Sequence, residues 1–180
     1  MAFIQLKNNN LPGIIGLCDF RPETGEKLIE LIDILMRGPS SLSSGERELI
    51  AAYVGFSNNS KYCELSHAAN AEEIIKSKLD LNKEFREGFP NLKIPDKLRA
   101  LLALAVKVRD GISKVSEVKI ENAKKNGATD IEIHDTVLIS SLMCMSSRYI
   151  ENLGVESPDV DSVFYKMNAM NIAKNGYKGK

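Results

Sequence analysis

The stretch from Glu46 to His67 gathers a thiol, an imidazole and carboxylates into two consecutive helical patterns. At about 100° of rotation per residue, Ser60, Cys63 and His67 fall within roughly 60° of one another, on one stripe of a helix. An imidazole one turn from a thiol can share its proton, and the thiolate is the form that attacks. A nearby base, a nearby cation or a place in the first turn of a helix lowers a thiol's pKa, and Cys63 has access to each. Glu48 stands on the preceding helix. If the chain folds back at Asn58-Asn59, its carboxylate reaches His67 directly or through a water, orients the imidazole and accepts a proton. Ser60 offers a hydroxyl that can hold the Cys63 thiolate or simply cap the helix. The plainer alternative stays open: an isolated cysteine on a helix is usually a small core residue.

Other chemistry-bearing residues fit ordinary roles. His134, beside Asp135 near a helix start, reads as a solvated histidine. Cys144, between Met143 and Met145, reads as core packing, and Cys18 is remote from the pattern. Lys61 points about 160° away from Cys63 around the helix, and Glu46 lies about 160° off Glu48, where a capping box explains it better.

The elements that must position these groups are helical. From Pro22 to Arg37, Leu28, Ile29, Leu31, Ile32, Leu35 and Met36 keep helical spacing until Gly38-Pro39 stops it. Ser43 with Glu46 forms a capping-box pattern opening a second helix that runs to about Phe56. Asn58 and Asn59 interrupt it, and Ser60–Lys78 resumes it. Leu79 to Lys93 is either a loop or a short helix, with a soft boundary near Pro90. A helix follows from Pro95 to about Gly111, and another from about Ser116 to Asn126-Gly127. A long helix capped by Asp130 runs to Gly154, and an amphipathic segment covers Val160 to Ala173. Residues 1–20, with an Asn run beside Pro12-Gly13, read as an extended arm of the kind that packs on a neighbouring subunit. The Lys/Gly-rich tail from Lys174 reads as mobile. The expectation is an all-α chain of seven or eight helices in a single domain.

Twenty-four basic residues balance twenty-four acidic ones, so no global field draws a polyanion or a membrane surface, and the expected partners exclude nucleic acid and membrane. The opening residues show no secretory signal, and the apolar tracts around 98–108 and 137–145 are too short or interrupted to span a bilayer, which points to a cytoplasmic chain. Three widely spaced cysteines suit neither a disulfide framework nor a four-ligand zinc site. The residues require no metal or organic cofactor.

The site segment resembles the signature of AhpD-like, carboxymuconolactone decarboxylase superfamily proteins of the peroxidase-related branch. That signature reads Glu, eleven residues, Cys, two residues, Cys, three residues, His, and the positions here are Glu48, Ser60, Cys63 and His67. The approach from Leu35 to Ala51, the Asn58 and Tyr62-Cys63 positions, and residues 101–110 and 126–155 extend the resemblance. It implies an AhpD-like helical bundle that assembles as a dimer, trimer or hexamer. It also implies a peroxidase in which Cys63 attacks a hydroperoxide and Glu48 and His67 relay protons; without a cysteine at the resolving position, the sulfenate is left for an external thiol reductant, or for Cys18 or Cys144 after movement or between subunits. Ser60 occupies the resolving position, and a hydroxyl forms no disulfide, so the intramolecular dithiol cycle cannot run as the family writes it. Besides a one-cysteine peroxidase, two functions stay open: a degenerate helical homo-oligomer for ligand binding or stress response, and a lactone decarboxylase using His67.

Overall fold

The structure, a computed structural model, describes residues 2–76, 78, 80–89, 92–110 and 117–179. These form nine helices and no strand: α1 (Gly13–Phe20), α2 (Pro22–Arg37), α3 (Ser44–Ser57), α4 (Lys61–Ile75), α5 (Leu81–Glu87), α6 (Asp96–Arg109), α7 (Glu117–Lys125), α8 (Asp130–Asn152) and α9 (Val163–Asn175). The all-α expectation holds and the count exceeds the seven or eight expected. The boundary placed at Pro90 and the limits placed at Gly111 and Ser116 lie outside the described residues.

α3 is the axis of the molecule. Leu49, Ile50, Ala51, Ala52 and Val54 are all at most 3% exposed, and the helix packs against α4, α6 and α8. Small side chains set how closely α4 can lie: Ala51 and Ala52 pack in the same core as Ala68 and Ala71. A methyl placed on Gly55 would stand 2.6 Å from the Glu64 nitrogen and 2.8 Å from the Cys63 carbonyl carbon, so only glycine fits where α3 crosses the turn that carries the thiol. Asn59 makes the reversal with φ 56°, a left-handed conformation that asparagine tolerates better than most residues.

Two helix starts, those of α3 and α8, are closed by capping boxes. At α3 the Ser43 hydroxyl accepts from Glu46 N at 3.2 Å while Ser43 N donates to Glu46 Oε2 at 2.8 Å. At α8 the cap is Thr129 rather than Asp130: Glu132 N donates to Thr129 Oγ1 at 3.3 Å and Thr129 N to Glu132 Oε2 at 2.8 Å, leaving Asp130 in the first turn. At the end of α2, Arg47 from α3 donates to the Leu35 and Gly38 carbonyls at 2.8 and 3.0 Å. The open carbonyls of one helix are thus satisfied by the residue next to Glu48.

Both chain extremities depart from expectation. Residues 13–20 form α1 instead of an extended arm, and Leu17 is buried at 1% in a small cluster with Leu6, Tyr62, Cys63, Ile150 and Val155. The segment before it lies on its own chain, with Phe3 N bonded to Leu153 O at 2.8 Å and Gly13 N to Glu156 O at 3.1 Å. At the other end Tyr177 is packed against the main core, so the segment after Lys174 is docked rather than free.

Candidate thiol site

α3 and α4 bring Glu48 and His67 together as their spacing requires. Glu48 is fully buried, and its Oε2 lies 2.7 Å from His67 Nδ1. Three further donors converge on the same carboxylate: Arg37 Nη2 on Oε1 at 2.6 Å, the Tyr177 hydroxyl on Oε1 at 2.7 Å, and Asn70 Nδ2 on Oε2 at 3.3 Å. Burial alone would push the Glu48 carboxyl up. The facing His67, Arg37 and Tyr177 outweigh it and hold the group below the ordinary carboxylate value. A carboxylate bound this tightly orients its neighbours and is poorly suited to carrying protons, which changes the acceptor role expected of it. With Nδ1 committed to Glu48, Nε2 is the His67 nitrogen left for other work.

Cys63 and His67 line one cavity of about 120 Å³. Ile14, Ile29 and Ile32 supply apolar wall, Ile172 and Tyr177 close it from the C-terminal side, and Ser66, Asn70 and Ser146 add polar groups. The Asn70 Oδ1 and Ser146 Oγ atoms are buried and unpartnered among the described residues. A larger open groove of about 440 Å³ beside α4 and α9 contains neither the thiol nor the imidazole, so the smaller cavity is the chemical candidate.

Cys63 sits in the first turn of α4, 3% exposed. The expected lowering of its pKa does not occur: burial pushes the thiol up, opposed by hydrogen bonds with the Ser60 and Ser147 hydroxyls and reinforced by the Glu151 charge. Among the described residues no hydrogen bond joins Cys63 to His67 or Glu48, and the two functional groups meet only across the cavity. Ser60 is the residue at the α4 N-cap position, but its side chain caps nothing there; its hydroxyl donates to Glu151 Oε1 at 2.9 Å. Lys61 pairs with the exposed Asp159 at 3.6 Å, away from the thiol. Cys144 is half-buried, with Asn58 Nδ2 3.7 Å from its sulfur, and the same amide donates to Ser147 Oγ at 3.3 Å. Cys18 is half-buried beside α2 and raised by burial. His134 is exposed and bonded to Asp135 at 3.1 Å.

No family model matches the sequence, and none of the curated proteins compared with it matches. Solved structures do. The crystal structure of an AhpD-core, uncharacterized peroxidase-related protein from Ralstonia eutropha JMP134 superposes with a TM-score of 0.75 at 25% identity, over 88% of this chain and 80% of that one. Its fold is AhpD-like, of the peroxidase-related branch. A second uncharacterized peroxidase-related protein, from Silicibacter sp. TM1040, shares the AhpD-like fold with a TM-score of 0.74 at 22% identity, over 86% of this chain and 78% of that one.

Around the AhpD-like signature positions the structure adds Arg37, Asn70 and Tyr177, which sequence reasoning did not single out. Asn70 had a signal: it lies three residues after His67, on the same helical stripe. Arg37, last in α2, is drawn in by the buried charge it neutralises. Tyr177 carried none beyond being the aromatic residue of a Lys/Gly-rich tail.

Proposed function

We propose that this AhpD-like chain is a peroxidase-like thiol oxidoreductase with one attacking cysteine, Cys63, acting on a small organic hydroperoxide. The observation that supports it most is that His67, fixed through Nδ1 by a buried carboxylate, shares an otherwise largely apolar cavity with Cys63. His67 Nε2 takes the thiol proton, and the thiolate attacks the terminal peroxide oxygen. The O–O bond breaks, the alkoxide leaves with the proton returned by His67, and Cys63 becomes a sulfenic acid. One external thiol condenses with it to a mixed disulfide and releases water; a second displaces Cys63 as thiolate. An intramolecular partner at Ser60 is chemically barred, and that hydroxyl instead bonds Glu151. A cavity of about 120 Å³ limits the substrate to a compact peroxide, for which tert-butyl hydroperoxide serves as the probe.

The test is a stoichiometric addition of that peroxide to reduced protein, with a sulfenic-acid trap and intact mass. Cys63 should be trapped ahead of Cys18 and Cys144, and Cys63→Ser should abolish peroxide consumption. Equal, slow oxidation of all three thiols would defeat the reading. The burial that raises the Cys63 thiol favours a second reading, a degenerate pocket that binds a ligand without turnover, and inactivity with every thiol reductant would select it. The proposal includes a homo-oligomer: Val163, Met167 and Met170 form an exposed apolar stripe along α9, and light scattering of the purified chain would report its mass.

A further inference from the structure

The least expected contact in the molecule is the insertion of Tyr177 into the Glu48–His67 pair. The chain leaves α9 through Gly176, whose φ of +71° turns it back over α2. The tail is pinned there at two places: Tyr177 N donates to Asp33 Oδ1 at 2.8 Å, and Lys178 Nζ lies 3.3 Å from Glu30 Oε1. Between these anchors the phenol ring passes under the Arg37 guanidinium, 5.1 Å from its centroid, and is half-buried against the core. Its hydroxyl donates to Glu48 Oε1 at 2.7 Å, accepts from Asn70 Nδ2 at 3.1 Å, and lies 3.3 Å from His67 Nδ1.

Geometry restricts what this hydroxyl can do. Its proton is directed at a carboxylate that stays ionised, and its own ionisation is driven far up by burial and by the Glu48 charge. Tyr177 is therefore a fixed donor and not a proton carrier. The bond occupies Oε1 together with Arg37, so Oε2 remains for His67 and Asn70. That division of the two oxygens holds the imidazole with Nδ1 toward the carboxylate and Nε2 toward the cavity.

We propose that Tyr177 is a positioning residue of the thiol site, delivered by the docked C-terminal segment, which fixes the Glu48 carboxylate and through it the orientation of His67. The inference rests on the thiol-site reading above for its consequence on rate, but the geometry it claims can be measured without turnover.

The charged groups that face the phenol are Glu48 from α3, His67 from α4, and Arg37 and Asp33 from α2, and a pH readout reports their joint state. In Tyr177→Phe the ring keeps its place under Arg37, while the donor to Glu48 and the acceptor of Asn70 Nδ2 are lost. Carboxyl-selective carbon NMR of the full chain should show Glu48 titrating about one pH unit higher, because an ionised acceptor has lost one of its charge-assisted bonds. The acid limb of Cys63 oxidation by tert-butyl hydroperoxide should move up with it. Asp33→Ala, which loosens the tail without touching the ring or the carboxylate, should shift Glu48 in the same direction by less, and it serves if Tyr177→Phe does not fold. An unchanged Glu48 titration in a folded Tyr177→Phe protein overturns the proposal. A shifted Glu48 in a chain that consumes no peroxide keeps it and removes the peroxidase reading instead.

Discussion

Glu48 concentrates the electrostatic risk of the molecule in one side chain, since a fully buried carboxylate is tolerable only while its donors stay in place. Glu48→Gln leaves the Arg37 guanidinium without its counter-charge. Removing one partner of a buried pair should cost about 3–5 kcal/mol, read from urea denaturation at neutral pH. The pH dependence has a definite sign. Because folding depresses the Glu48 pKa, the stabilisation is present above the ordinary carboxylate value and is lost as pH falls through the folded-state value. The acid slope of stability should therefore flatten in Glu48→Gln. Cys63 runs the other way: burial raises its thiol, so its alkylation by iodoacetamide should still be climbing past pH 9.0, and a plateau below that value would contradict the environment described. The sequence disclosed the Glu48–His67 pair because two helical spacings and a break between them fix it. It could not disclose that Cys63 lies under Leu6, Leu17 and Ile150, from three distant segments, and that burial is what reverses the expected direction of its pKa.

Among the elements, the α3–α4 crossing governs the site. Gly55→Ala would drive a methyl into backbone atoms of Cys63 and Glu64, which cannot swing away as a side-chain tip can. The helices should separate, at a cost of about 1–3 kcal/mol in chemical denaturation, with Cys63 and His67 displaced across their cavity. Helix starts and stops were legible where chemistry is local. Gly38-Pro39, Ser43 with Glu46 and the Asn58-Asn59 break all stand where their types and spacing put them. The Thr129–Glu132 box has the same spacing as Ser43–Glu46 and was obscured by an equally good capping residue, Asp130, beside it. α1 escaped notice because an eight-residue helix holding two glycines has little propensity of its own, and it is held by packing of Leu17 against the Tyr62–Cys63 turn.

For the molecule as a whole, the termini matter more than their composition suggests. A Lys/Gly-rich tail reads as mobile on any local criterion, and the information that docks it, Asp33, Arg37 and Glu48, lies more than a hundred residues earlier. No helix among the described residues is long and apolar enough to cross a membrane. Shortening the chain after Asn175 should remove the phenol from the cavity wall and make Cys63 about tenfold more accessible to alkylation through easier local opening, measurable by mass spectrometry against time. The same arrangement orders events during synthesis. Tyr177 follows Glu48 by 129 residues, which at about 5–20 residues per second separates their appearance by on the order of ten seconds. Late in that interval, once His67 and Asn70 have been made, the nascent chain carries a carboxylate one donor short and a thiol whose C-terminal wall is incomplete. The helices made before Tyr177 must therefore pack around an unfinished centre, which closes only when Tyr177 returns to the second helix.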